Sequence, residues 1–398
     1  MIRLLILLIA LAMPAAAQDF SARARVDMAQ SQVRDAQNGL AIDLHLSIAV
    51  PYRVFTLDNP RRLVVDFREI DWQGVRRESL LNADNATDLR FGALRPGWSR
   101  LVVDLAGPMA LEQAGMVVDT DSGAAVLTIT LDATTDAAFA QSAGAPADAA
   151  WALNATPPQA TTDDSMITIA IDAGHGGIDP GAEHGGVREA DIMLQIAFEV
   201  AEAINRTGQL RAVMTRDADY FVPLSQRMTL ARSAGADAFI SLHADALEGG
   251  GATGASVYTL SKTASDAASQ RMAERHSRGD LLAGVDLDGQ DDRIATVLMD
   301  LARLETGPAG VRMADALVAG LGAADVPLNT RPRRSGDLAV LNAADFPSAL
   351  VEVGFLTSQS DRARLMSANG RARIAAGIAA GLLDWANAEA AKAPLVRQ

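Results

Sequence analysis

His175, Glu189 and His243 supply the donor types of a zinc site, and Glu352 is a further carboxylate inside an otherwise apolar run. The chain has only five histidines, and two of them fall at the ends of apolar segments, in Asp172-Ala173-Gly174-His175-Gly176-Gly177 and Ser241-Leu242-His243-Ala244-Asp245. Two neutral imidazoles and one carboxylate match a catalytic zinc centre, which keeps its fourth position open. Such an ion polarises a carbonyl oxygen and acidifies water, and hydrolysis then needs a base to take a proton and return it to the leaving group. Glu352, in Ala349-Leu350-Val351-Glu352-Val353-Gly354-Phe355, is the candidate base. A carboxylate is costly to bury unless an ion or a reaction uses it. Each residue alone has a plainer reading. A strand-end histidine can be structural, Glu189 can compensate a helix N-terminus, and Glu352 can pair with Arg333 or Arg334. Taken together, the four favour a metal-dependent hydrolase. His184 reads as a solvent-facing loop residue, with a metal or substrate contact as the alternative, and His45 as an ordinary surface residue.

The elements around these residues alternate strand and helix, the signature of an α/β layered sheet. Met166–Ile171, Leu210–Thr215, Ala238–His243, Gly254–Leu260, Leu338–Leu341 and Ala349–Val353 read as strands. Ile192, Ile196, Val200 and Ile204 form one apolar helix face ending near Gly208, Leu224–Ser233 reads as a second helix and Ile374–Trp385 as a closing one. His175 and His243 then lie at carboxyl edges of strands, where open α/β sheets assemble their sites, and Glu189 begins the first helix at the same rim. Residues 262–321 form a long helical insertion with a charged middle, Asp286-Leu287-Asp288-Gly289-Gln290-Asp291-Asp292. It exceeds an ordinary connection, so it is either a lid or regulatory element or an additional surface hairpin.

Ahead of this unit, residues 19–131 alternate with period two, in Ala41–Ile48, Arg62–Phe67, Ser99–Leu105 and Ala125–Leu131. Turns at Asn59-Pro60, Pro96-Gly97 and Asp121-Ser122-Gly123 make a small antiparallel sandwich the economical architecture. Residues 132–164, rich in Ala, Thr, Asp, Gln and Pro, read as a mobile linker to a catalytic domain at 165–390. At the N-terminus one arginine, the apolar run Leu4–Met13 and Ala15-Ala16-Ala17 read as a signal peptide over residues 1–17, cleaved before Gln18, with an uncleaved anchor as the alternative. That run is too short to span a bilayer, which takes roughly 20 residues, so no stable membrane insertion is expected after cleavage. The absence of cysteine fits an exported protein stabilised by packing, with a bacterial periplasm as its compartment. A formal charge of −14 argues against nucleic acid or an anionic membrane surface as a generic partner.

Four segments carry a resemblance to a known family: Ile171-Asp172-Ala173-Gly174-His175-Gly176-Gly177-Ile178-Asp179-Pro180-Gly181-Ala182, Val187-Arg188-Glu189-Ala190-Asp191, Ser241-Leu242-His243-Ala244-Asp245 and Val351-Glu352-Val353-Gly354-Phe355-Leu356-Thr357. In this order they resemble the zinc-dependent N-acetylmuramoyl-L-alanine amidases of the AmiA, AmiB and AmiC type. The resemblance implies Zn2+ held by His175, Glu189 and His243, with Glu352 as catalytic acid and base. It also implies peptidoglycan as substrate, cut between the lactyl group of N-acetylmuramic acid and L-alanine. The stretch Pro51–Phe67 resembles an AMIN domain, a β-sandwich that directs such amidases to septal peptidoglycan. The insertion resembles the autoinhibitory region of division-associated members, relieved by a LytM-type activator of the EnvC or NlpD kind, with Asp291–Leu301 similar to the activator-responsive helix. The family's blocking glutamate aligns with His276, so the inhibitory ligand is either His276 or Glu274. A non-catalytic wall-binding protein of this fold and a zinc carboxypeptidase acting on stem peptides are the rival readings.

Overall fold

The structure is a computed structural model that describes residues 23–68, 70–146, 166–246, 252–277, 279–282, 293–343 and 345–396. The expected signal peptide and the charged stretch 286–292 lie outside the described residues.

The first unit is built of β1 (Ala24–Arg25), β2 (Gln32–Ala36), β3 (Gly39–Leu46), β4 (Tyr52–Leu57), β5 (Arg62–Arg68), β6 (Ile70–Asp71), α1 (Arg77–Leu80), β7 (Leu81–Asn82), β8 (Ala86–Arg95), β9 (Trp98–Leu105), β10 (Met109–Val118) and β11 (Ala125–Ala133). A five-stranded sheet in the order β10-β11-β3-β2-β7 faces a four-stranded sheet in the order β4-β5-β9-β8. The alternation places Ile42, Leu44, Leu63, Val65, Phe67, Leu101, Val103, Leu127 and Ile129 in the shared core. His45 is half-buried on the other phase of β3, where it lines a surface hollow. Part of the expected linker is structured. After β11, α2 (Asp136–Ser142) is capped by the Thr135 hydroxyl, which accepts from Ala138 N, and its Phe139 is fully buried in the sandwich core.

The second unit follows with β12 (Ile167–Ala173), β13 (Glu183–His184), β14 (Val187–Arg188), α3 (Glu189–Arg206), β15 (Leu210–Met214), α4 (Leu224–Ser233), β16 (Ala238–His243) and β17 (Ala255–Leu260). It continues with α5 (Ala267–Ser277), α6 (Gly279–Leu282), α7 (Arg293–Ala323), β18 (Leu328–Gly336), β19 (Ser348–Glu352), α8 (Gln359–Met366) and α9 (Ala368–Val396). The mixed sheet runs β15-β12-β16-β19-β17-β18. The first four strands are mutually parallel, and β17 turns antiparallel to β19. Ile192, Ile196, Val200 and Ile204 of α3 share one core with Leu317 and Leu321 of α7 and Ile378 and Leu382 of α9. Met228 of α4, Met272 of α5 and Phe346 belong to a separate core that includes Phe239 and Leu350 of the sheet.

Two expectations change. Leu338–Leu341 does not form a strand; Ala339–Leu341 is a 3-10 turn whose Val340 and Leu341 are buried beneath α4 and α5. A short apolar run satisfies a buried turn as readily as a buried strand. Residues 262–321 are also not a separable insertion throughout, because Met313, Ala314, Leu317 and Leu321 are core residues. There α7 crosses α9 closely enough that a side chain at Gly320 would overlap the backbone of Gly377 and Gly381.

Candidate metal centre

Parallel pairing in the middle of the sheet assembles the site. In the β16–β19 register His243 stands directly beside Glu352, and β12, one strand further, delivers His175 through a tight turn at the same edge. Glu189 opens α3, which packs over that edge. His175, Glu189 and His243 thus come within one potential metal sphere, each offering a ligand atom within 4.8 Å of the others. The expected three ligands and base converge, and all but His175 are nearly inaccessible.

The carboxylate of Glu189 is held from two sides. Its Oε1 lies 3.0 Å from His243 Nδ1 and accepts from Ala244 N at 2.9 Å, while Oε2 accepts from Ala182 N at 2.9 Å and lies 3.3 Å from His175 Nε2. His175 Nδ1 is 2.8 Å from Asp179 Oδ2, an arrangement that fixes the ring and leaves Nε2 facing the centre. Burial opposes the charged forms of both His175 and Glu189. The carboxylates around His175 nevertheless hold it well above its ordinary value, and His175 and His243 hold Glu189 well below. A buried carboxylate between two imidazoles, one of them, His175, drawn toward its charged form, is a donor set whose negative charge a divalent cation would neutralise. The donor set fits zinc.

Glu352 is fully buried. Its Oε2 accepts from Asp245 N at 3.1 Å, whereas Oε1 has no hydrogen-bond partner and faces the centre beside His276 Nε2 at 3.7 Å. Burial, then the Asp245 and Glu189 carboxylates, push Glu352 well above the usual carboxyl range. Arg333 and Arg334 are not its partners, since they pair with Asp315 and Asp266.

Helix α5 lies over the centre. His276 is buried, with its ring centroid 4.1 Å from that of His243, and it forms a second potential metal cluster with His243 and Glu352. Glu274 is exposed, and its Oε1 accepts from Gln270. Of the two candidate blocking residues, only His276 reaches the site. Arg275 ties the helix down: its Nη2 is 2.5 Å from Asp245 Oδ2 and its Nη1 donates to Ala246 O at 2.7 Å. On the next turn of chain, Asp280 Oδ1 in α6 accepts from Leu224 N at 2.9 Å. His184 is exposed on β13, away from the cluster.

Two buried arginines that sequence reasoning missed shape the His175 turn. Arg216 donates to the carbonyls of Ala173, Gly174 and Ala190, and Arg227 to those of Ala173, His175 and Val222. Asp172 anchors Arg227 at 2.8 Å and accepts from Thr215 and Ser241 at 2.6 Å each. A carboxylate within the apolar strand Ile167–Ala173 was the available signal. Asp172→Ala would strand the Arg227 charge, and we expect a loss of about 3–5 kcal/mol in urea unfolding. Burial opposes the Asp172 charge, but Arg227, Ser241 and Thr215 outweigh it, so its folded pKa is lowered. Its contribution is therefore complete above the unfolded carboxyl value and is lost as the pH falls through the folded one.

The N-acetylmuramoyl-L-alanine amidase family profile matches residues 169–384, and the AMIN domain profile matches residues 31–131. AmiC of Neisseria meningitidis serogroup B is 31% identical over 376 residues, covering 88% of each chain. AmiC of Escherichia coli O6:H1 is 29% identical over 353 residues, covering 83% of this chain and 82% of that one. AmiA of Escherichia coli K12 is 33% identical over 230 residues, 57% of this chain and 79% of that one. With the histidine–glutamate cluster inside the first matched region and the sandwich inside the second, the chain belongs to the N-acetylmuramoyl-L-alanine amidase family of hydrolases and carries an AMIN domain.

Proposed function

We propose that this chain is a periplasmic zinc amidase that cuts peptidoglycan between the lactyl group of N-acetylmuramic acid and the L-alanine of the stem peptide during cell separation. The convergence of His175, Glu189, His243 and Glu352 at one sheet edge carries this reading. His175, Glu189 and His243 would hold the metal. Zinc, when bound, polarises the scissile carbonyl and lowers the pKa of water. Asp179 keeps His175 in one orientation, and the Glu189 carboxylate is fixed by the backbone of Ala182 and Ala244. The Glu352 carboxylate takes the proton of the attacking water at Oε1, the oxygen with no other partner, and delivers it to the departing alanine nitrogen.

Export through the N-terminal signal peptide brings the enzyme to its substrate, and the sandwich targets it to the wall. His276 and its neighbours hold the enzyme off until a LytM-type activator of the EnvC or NlpD kind, acting on the helical region 262–321, draws α5 away. The burial of His276 against His243 and Glu352 supports this.

Product analysis tests the activity. Purified sacculi treated with the zinc-loaded chain and an activator should release intact stem peptides with a free L-alanine amino terminus, and a chelator should abolish the release. Release of a single terminal amino acid would make the chain a carboxypeptidase, and binding without release would make it a wall-binding protein.

A further inference from the structure

We propose that the sandwich is a working part of the metal centre, its strand β8 holding the turn that presents His175. This inference rests on His175 being a metal ligand. Three observations carry it. First, the Ala93 carbonyl of β8 accepts from Phe221 N at 3.1 Å, so the sandwich edge continues into the loop before α4. Second, Leu94, Ile178 and Phe221 are buried together in a cluster of their own, with Trp98 packed against it, outside the core of either unit. Phe221 also lines the cavity around His175, His243 and His276, so the cluster and the centre share a wall. Third, the backbones meet at Gly92 and Gly177. A side chain at Gly92 would overlap the carbonyl of Gly177, and one at Gly177 would overlap that of Ala93.

The glycine at position 92 is informative because the sandwich has no need of it. A glycine inside a strand weakens it and marks a place where another backbone comes close. Here that backbone lies two residues from His175. The turn itself is conformationally demanding: His175 has φ 61°, Gly176 φ 125° and Gly177 φ 60°, and a non-glycine residue in this region carries strain that its surroundings must sustain. Arg216 and Arg227 hold the carbonyl side of the turn from within the catalytic unit. Asp219 Oδ1 accepts from Gly177 N at 2.7 Å, and β8 closes the remaining side. Gly92 and Leu94 are therefore positioning residues that act through the turn.

The test uses the full chain with Gly92→Val and, separately, Leu94→Ser, whose side chain belongs to the interdomain cluster and not to the sandwich core. Both should raise amide hydrogen exchange at residues 175–179 and 218–222 while exchange in β3, β5 and β11 stays unchanged. Zinc affinity, read by competition with a chromophoric chelator, should fall roughly 10-fold, the usual effect of loosening the support of a ligand. Unchanged exchange in those loops and unchanged zinc affinity with Leu94→Ser would overturn the proposal, even if Gly92→Val unfolds the sandwich. His175→Ala is the control: if it binds zinc as the parent does, the ligand assignment fails, while the exchange result still judges the interface.

Discussion

Glu352→Gln should give a folded protein that still binds zinc but releases stem peptides roughly 10²–10⁴-fold more slowly, the contribution of a positioned general acid–base. The substitution keeps the volume and one acceptor oxygen, so the contact from Asp245 N can persist. It removes proton transfer at the oxygen that faces the centre. The side chain is flanked by His243 on β16 and Ser256 on β17, which hold it within the sheet on both sides. Replacing the buried carboxyl group with an amide of nearly the same shape should leave thermal stability close to that of the parent. Single-turnover release from sacculi, with a zinc titration alongside, reads both quantities. Activity within twofold of the parent would remove Glu352 from the mechanism.

His276→Ala should act in the opposite direction, raising release without activator roughly tenfold or more, since each 1.4 kcal/mol shifts an open–closed equilibrium tenfold. The imidazole is inserted between His243 and Glu352 and is almost inaccessible, so its removal opens the space over both. Arg275→Ala should move activity the same way, because it frees α5 from Asp245 and the Ala246 carbonyl while leaving His276 in the chain. Glu274→Ala should change little, its side chain being in solvent with Gln270. If His276→Ala and Arg275→Ala are as inactive as the parent without activator, α5 is not the element that restrains the enzyme. Equal stimulation by Glu274→Ala would place the restraint on the helix as a whole and not on the imidazole.

The site was legible because its chemistry and its topology give the same answer. Scarce histidines at strand ends and a carboxylate in an apolar strand marked His175, His243 and Glu352, and parallel strand order brought them to one edge. What escaped was the support, since Arg216, Arg227 and Asp179 act through backbone carbonyls and a ring nitrogen, contacts with no periodicity. Strand β18 escaped for another reason. It is arginine-rich, contains Pro332 and lies at the sheet edge, where a strand needs neither an apolar face nor every backbone donor. Helix α2 was hidden in an alanine-rich stretch because a single side chain, Phe139, anchors it. The half of α7 after Val311 was taken for insertion because its apolar residues face α9 and the sheet, partners that lie far from it in sequence.

The close crossing of α7 and α9 makes α7 a lever with one end clamped. From Met313 onward the helix is wedged into the core, and at Gly320 it has no clearance to slide. Pro308 interrupts the hydrogen-bond ladder just before the clamp begins. Displacing the N-terminal part of α7 would therefore bend the helix near Pro308, while the half locked against α9 keeps its place.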